Sequence, residues 1–230
     1  MAAADKGATQ PSQELTVKFD VRGTEIKLTP QIVEQYIVGN NSKITMPEFK
    51  FFTELCKVRQ LNPFLKEAYC VKYGDEPAQI VVSKDVFIER ANNHPQYDGK
   101  ETGVIVLDKD KKMIERNGTL VLSDEELVGG WARVFRKDRT HPEYMSVSLN
   151  EVAGKKKDGQ LNFNWKNKPA TMVEKVAKVR ALREAFSDEL GSLYDESEFV
   201  GENTKGPEIV EVEIVEPGAG QKEQTPIDEV

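Results

Sequence analysis

Cysteine and histidine are nearly missing from this chain, two of each in 230 residues. Cys56 and Cys70 are too few for a disulfide framework and are expected to sit reduced in a core. His94 and His141 stand alone, and no Cys/His set has the spacing of a zinc site. A nucleotide-binding P-loop is missing too. Gly154-Lys155 has the right dipeptide, but Lys156 fills the Ser/Thr place and no glycine stands five residues before Gly154. Long apolar runs are missing: nothing is long enough to cross a bilayer, and MAAADKGATQPSQ lacks a signal-peptide core. These absences lead to the expectation of a cytoplasmic, non-enzymatic protein with no cofactor. Asp108, Asp110, Asp124, Glu125 and Glu126 could be imagined as a two-metal site. They fall in expected turns, however, where a solvated acidic face is the ordinary role.

What is present is charge, and it is partitioned. The chain carries a formal net charge of -7. Residues 195–230 hold eleven acids against two bases, a balance of -9, which leaves +2 for residues 1–194. That tail is poor in aromatics and contains Pro217-Gly218-Ala219-Gly220, so it is expected to be largely disordered. It either solubilises the protein, competes with nucleic acid for a basic surface, or docks a partner. Against this background, Trp131 to Arg183 carries thirteen Lys/Arg and five Asp/Glu, a local balance of +8. So large an excess in an acidic protein points to a polyanionic partner. Trp131, Phe135, Phe163 and Trp165 are threaded through it, and flat rings beside cations suit a single-stranded nucleic acid.

The expected organisation is a disordered leader over 1–13, a core domain over 14–194 and the acidic tail over 195–230. Thr29-Pro30 should start a short helix that Gly39 stops, and Thr45-Met46-Pro47-Glu48 reads as a capping box opening a longer one. Strand-like runs cover Ala68–Tyr73 and Ala78–Val82, joined by a turn at Gly74–Pro77, and a helix should run from Lys84 to about Asn93. Further strands are expected at Gly103–Leu107, Met113–Arg116, Thr119–Leu122, Val128–Arg136 and Tyr144–Leu149, with Asn117-Gly118 as a hairpin turn. A long helix should open at the box Thr171–Glu174 and reach about Leu190. Strands in a run with helices before and after give an α+β fold, an antiparallel sheet with helices packed on one face.

Fourteen residues are candidates for contact with nucleic acid. Arg133, Arg136, Lys137 and Arg139 surround one hairpin turn, and Lys155, Lys156 and Lys157 crown a flexible loop tip. Trp131 and Trp165 are each first candidates for burial. Phe163 and Trp165 nonetheless stand between that loop and Lys166 and Lys168, where bases could stack. On the last helix, Lys175 and Arg183 project from an apolar stripe of Met172, Val176, Val179, Leu182, Phe186 and Leu190, with Lys178 beside them. Either the cations snorkel or pair with acids of the chain itself, or phosphates supply the missing negative charge.

Four segments then carry a resemblance: Leu61-Asn62-Pro63-Phe64-Leu65-Lys66-Glu67, Tyr97-Asp98-Gly99, Val134–Pro142 with its Arg136-Lys137-Asp138-Arg139-Thr140-His141-Pro142 run, and Trp165–Phe186 ending Ala181-Leu182-Arg183-Glu184-Ala185-Phe186. In this order and separation they resemble phage single-strand annealing recombinases of the RecT and Red-beta (Bet) type over roughly residues 45–200. The resemblance implies an ATP-independent protein that coats single-stranded DNA and anneals it to a complementary strand. It also implies assembly into rings or filaments with a continuous positive groove, and an annealed duplex as intermediate. Arg183 and the cations before it fall where such proteins contact DNA backbone, and Lys155–Lys157 fall in a hairpin expected to clamp DNA. A phage exonuclease and the host single-strand-binding protein are the implied further partners, recruited through a C-terminal module that is short and acidic here. A passive single-strand-binding protein and a metal-dependent nuclease are the competing readings. Backbone contacts would neutralise phosphates, and base pairing itself would supply specificity.

Overall fold

The computed structural model describes residues 15–38, 43–72, 77–156 and 158–198. The leader, Gly39, the Gly74–Glu76 turn, Lys157 and the tail from 199 onward lie outside the described residues.

Alternation builds the first hairpin. In Val17–Val21 (β1) and Thr24–Leu28 (β2), Phe19, Val21, Ile26 and Leu28 are buried while Lys18, Asp20, Glu25 and Lys27 face water. Thr29 then caps Pro30–Ile32 (α1), its hydroxyl accepting from the Ile32 amide at 3.2 Å, and the coil continues with π-type spacing over Val33–Ile37. Met46–Val58 (α2) opens on the expected capping box, with Thr45 Oγ1 3.4 Å from the Glu48 amide and Glu48 Oε2 2.7 Å from the Thr45 amide. Glu48 also accepts from Lys72 Nζ at 2.9 Å and from the Ala78 amide at 2.8 Å. It thereby ties the helix start to the hairpin of Ala68–Val71 (β3) and Gln79–Val82 (β4). Burial works to raise the pKa of this carboxyl, but the amide and ammonium donors together hold it below its usual value. Lys84–Asn93 (α3) follows and buries Val86, Phe87 and Ala91.

The main sheet has four antiparallel strands in the order β6-β5-β7-β8. They are Tyr97–Leu107 (β5), Met113–Asn117 (β6), Glu126–Arg136 (β7) and Glu143–Ser148 (β8). Short helices Leu149–Val152 (α4) and Phe163–Asn167 (α5) lead into Pro169–Ala185 (α6), and Ser187–Leu190 (α7) closes the helical run. The architecture is α+β, as expected, and α6 covers one face of the sheet. Gly130 shows how closely: a Cβ there would lie 2.6 Å from the Val173 carbonyl oxygen of α6. Ala132 and Val134 share the parity of Gly130, whereas Trp131 and Arg133 turn to the opposite face. Buried residues encircle most of α6, among them Val173, Val176, Ala177, Val179, Ala181, Leu182 and Ala185. A central helix packed on several sides replaces the single stripe read from its periodicity. Cys56 and Cys70 are free and buried, and burial pushes the Cys70 thiol up to about 12.

Several boundaries moved for physical reasons. Thr119–Leu122 is not a strand, and Asn117-Gly118 turns no hairpin. Gly118 instead bridges Gly103 in parallel sense, and Leu120 and Leu122 are exposed with no strand to pair them. The Arg116–Glu125 ion pair folds this segment back. Strand β5 starts at Tyr97, well before Gly103, because β7 offers partners as far as Arg136. Leu149 leaves the strand to begin α4. The box at Thr171 is not a cap: α6 begins at Pro169, whose ring pre-sets the first helical φ. Glu174 accepts instead from Thr102 Oγ1 at 2.5 Å and from Lys178 at 2.8 Å. The long helix breaks at Phe186 (φ -126°, ψ 54°) before α7.

Candidate nucleic-acid interface

The segment joining α4 to α6 is a stiffened loop rather than a loose one. Lys155 bridges Leu161, the Lys156 amide donates to Gln160 O at 2.7 Å, and the Asn162 amide donates to Gly154 O at 2.9 Å. Asn162 then caps α5 by accepting from the Trp165 amide at 3.1 Å. Trp165 is the anchor: it is 2% exposed and lies so close to Gly154 that a Cβ there would come within 2.9 Å of the indole. The expected stacking role for Trp165 fails on this burial, because no ring face reaches solvent. Phe163, two residues earlier on α5, is 74% exposed. Lys155, Lys156, Lys166 and Lys168 precede and follow it in the chain, all exposed, and among the described residues none of the four forms an ion pair. No acid occupies the first turn of α6, so the positive end of its dipole adds to theirs.

The remaining candidates are committed elsewhere. Lys175 Nζ lies 2.6 Å from Asp195 Oδ1, and Lys178 Nζ lies 2.8 Å from Glu174 Oε1. Arg183 forms a two-pronged pair with Glu198, both contacts at 2.6 Å, and also donates to Leu193 O at 3.1 Å. Burial would lower the pKa of Arg183, but the Glu198 carboxylate more than offsets this and the net shift is upward. Arg133, on the sheet face away from α6, stacks over Trp131 at 4.6 Å and Tyr144 at 5.0 Å and pairs with Glu115 at 2.6 Å. Arg136 grips Asp138 through two bonds of 2.8 and 2.7 Å and donates to Ala185 O at 2.5 Å, tying the β7–β8 turn to the C-terminal end of α6. Those bonds pull the Asp138 carboxyl down to about 2. Arg139 makes only a 3.6 Å contact to Glu143, with both side chains solvated, and such a pair is readily exchanged. Lys137 donates to Pro95 O at 3.3 Å and has no acidic partner among the described residues.

The described cations among the thirteen between Trp131 and Arg183 therefore do not form one patch. Exposed lysines that pair with no acid among the described residues precede the N-terminal end of α6, and the turn cations Lys137 and Arg139 follow the strand end tied to its C-terminal end, about 25 Å away for 17 residues at 1.5 Å each. Between them the helix cations are neutralised by acids of the same chain. Two of those acids, Asp195 and Glu198, fall in the segment that charge alone marks as tail. Leu193 was the available signal: its side chain is 1% exposed and carries the chain on past 194, burying Asp195 at 1%. The acidic cluster considered for metals is likewise used locally. Glu125 pairs with Arg116, Glu126 with Lys111, and Asp108 accepts from the Asp110 and Lys112 amides. No group of three or more His, Cys, Asp or Glu among the described residues could hold a metal ion. No described helix is long and apolar enough to cross a membrane.

Comparison with known proteins agrees with the resemblance carried by the motifs. The sequence profile of the RecT family matches residues 26–211, most of the chain, so the protein belongs to the RecT family of single-strand annealing proteins of recombination. No curated protein matches the chain at a significant level.

Proposed function

We propose that this RecT-family protein anneals complementary single strands without nucleotide hydrolysis, holding one strand by its phosphates along α6. The observation that carries the reading is the set of exposed lysines, Lys155, Lys156, Lys166 and Lys168, which pair with no acid among the described residues and flank the exposed Phe163 in the chain. Lys157 belongs with them by sequence. Phosphates replace the bulk counter-ions of these lysines, and Phe163 offers a face to one base. The strand then runs along the helix toward Lys137 and Arg139. Contacts of this kind are blind to sequence and leave base edges open for pairing.

One protomer offers few contacts, so affinity is built by repetition. Assembly into a ring or filament in the cytoplasm places the lysine clusters in series, and weak grips add along one strand. A phage exonuclease that generates single strands and the host single-strand-binding protein that coats them are the partners this role calls for.

The test mixes complementary oligonucleotides with the protein in the absence of nucleotide and follows duplex formation and strand length together. Duplex should form several-fold faster than in the protein-free control, with strands of unchanged length and with the advantage fading as salt rises. Pairing no faster than the control, or slower, makes the protein a passive binder. Shortened strands make it a nuclease.

A further inference from the structure

Beyond α7 the described residues lie against the cationic side of α6, and their last element is a 3-10 turn, Glu196–Glu198. Within it, Glu198 occupies the fork of Arg183 and lies 3.8 Å from Arg180 Nε. A carboxylate presenting two oxygens to a guanidinium has the geometry of a phosphodiester presenting its two free oxygens. Beside the fork, the Arg183 guanidinium stacks over the ring of Tyr194 at 4.8 Å, and Tyr194 is 42% exposed. Two arginines and an accessible aromatic surface are what one nucleotide of a single strand needs.

The geometry points to a latched DNA seat: Arg180, Arg183 and Tyr194 hold a nucleotide of single-stranded DNA, and Glu198 occupies its phosphate position until DNA displaces it. This rests on the annealing reading above and adds a second, gated contact to the lysine cluster at the other end of α6. The hinge is defined by what stays put. Leu193 is embedded in the core, the Val82 amide donates to Tyr194 O at 2.8 Å, and Asp195 is buried on Lys175. Only the last turn must unwind: among the described residues its one backbone bond runs from the Glu198 amide to Asp195 O at 3.0 Å, and Glu198 must also release the Asp195 amide that donates to its Oε1 at 3.1 Å, while Ser197 is held by Asp195 Oδ1. Opening exchanges a carboxylate for a phosphate on the same arginines, so they remain neutralised throughout. Residues 199–230 carry eight acids against two lysines, so a bound strand repels the departing chain and favours the open turn.

The experiment compares affinity for a labelled oligothymidylate at low salt among the wild type, Glu198→Gln and Glu196→Gln. Glu196 sits in the same turn but bonds Tyr69 Oη, so its substitution removes one acid without freeing an arginine. Glu198→Gln should bind about tenfold more tightly and Glu196→Gln within about twofold of the wild type. Equal affinities for the two variants overturn the latch. A second measurement needs no variant: hydrogen exchange at the wild-type Glu198 amide should speed up when saturating DNA is added. An amide that keeps its protection on DNA overturns the proposal. A wild-type chain that fails to bind the oligonucleotide at all overturns the annealing reading itself, whereas binding with an unmoved turn removes only the latch.

Discussion

The lysines at 155–168 and the cations at 175–183 stand on the same helix or just before it, and by composition they are one basic region. Their surroundings make them chemically different. The described lysines of the first group are exposed and pair with no acid among the described residues, so their charge is turned outward. The second is packed beneath the last described turn, where Asp195 and Glu198, 1% and 5% exposed at the side chain, take Lys175 and the two arginines, while Lys178 pairs with Glu174 of the helix itself. A cation count therefore measures what a surface could offer to DNA, and the acids brought near it by folding decide what it does offer. Lysine and arginine divide along the same line only in part, since Lys175 and Lys178 are also paired. The solvated cluster is all lysine, which needs no fixed geometry, while the committed forks at 133, 136 and 183 are arginine.

The sharpest break in this comparison comes from two rings in one short helix. Trp165→Ala should cost about 4 kcal/mol of stability, as loss of a buried tryptophan does, and urea unfolding would read it. Phe163→Ala should leave unfolding unchanged and weaken single-strand binding about tenfold, within the range for one stacked base. If the two variants behave alike, the assignment of one ring to the core and the other to DNA is wrong.

The next effect contrasts the two sets of cations. Lys175→Ala strands Asp195 without its counter-charge and should destabilise the fold by about 3 kcal/mol, with DNA affinity within about twofold. The triple change of Lys155, Lys156 and Lys157 to Ala should do the reverse. Stability should stay within about 0.5 kcal/mol, as for exposed sites, while affinity falls about a hundredfold at low salt and its salt dependence flattens. Salt titrations of binding beside denaturation curves of the same preparations settle which set is which.

The smallest effect concerns pH. Asp138 is lowered from 3.8 to about 2 by Arg136. Because the folded value is depressed, the contribution of this pair is fully present above pH 3.8 and is lost as pH falls through about 2. Asp138→Asn should therefore be slightly less stable than the wild type at pH 5, and the difference in melting temperature should vanish by about pH 2. A difference that persists there would place the weight on hydrogen bonding rather than charge.

Local signals in the sequence were reliable where one residue type controls a backbone group. The Thr29 and Thr45 caps, the helix at Lys84–Asn93 and the β3–β4 hairpin could all be read because each rests on neighbours a few residues apart. The misreadings share a cause in long-range partners. Thr119–Leu122 alternates like a strand but finds no strand to pair with. Thr171–Glu174 spells a capping box, but Glu174 is taken by Thr102, 72 residues away in sequence. At the candidate interface, Phe163 and the lysines near it in the chain are exposed, as the surface role read from the sequence requires. Burial of Trp165 was the first expectation for so large a ring, but its seat against Gly154 was not legible, because nothing in the chain around Gly154 marks that close approach.

Composition and short-range pattern by themselves determined the α+β class, the caps, the reduced core cysteines and the concentration of positive charge ahead of an acidic tail. Each of these depends on residue type or on a spacing of a few residues. The tertiary structure alone decided which cations remain available. Ion pairing depends on distances of a few ångströms between groups far apart in the chain, and Arg183 meets Glu198 only because Leu193 buries itself and brings the acids back over α6.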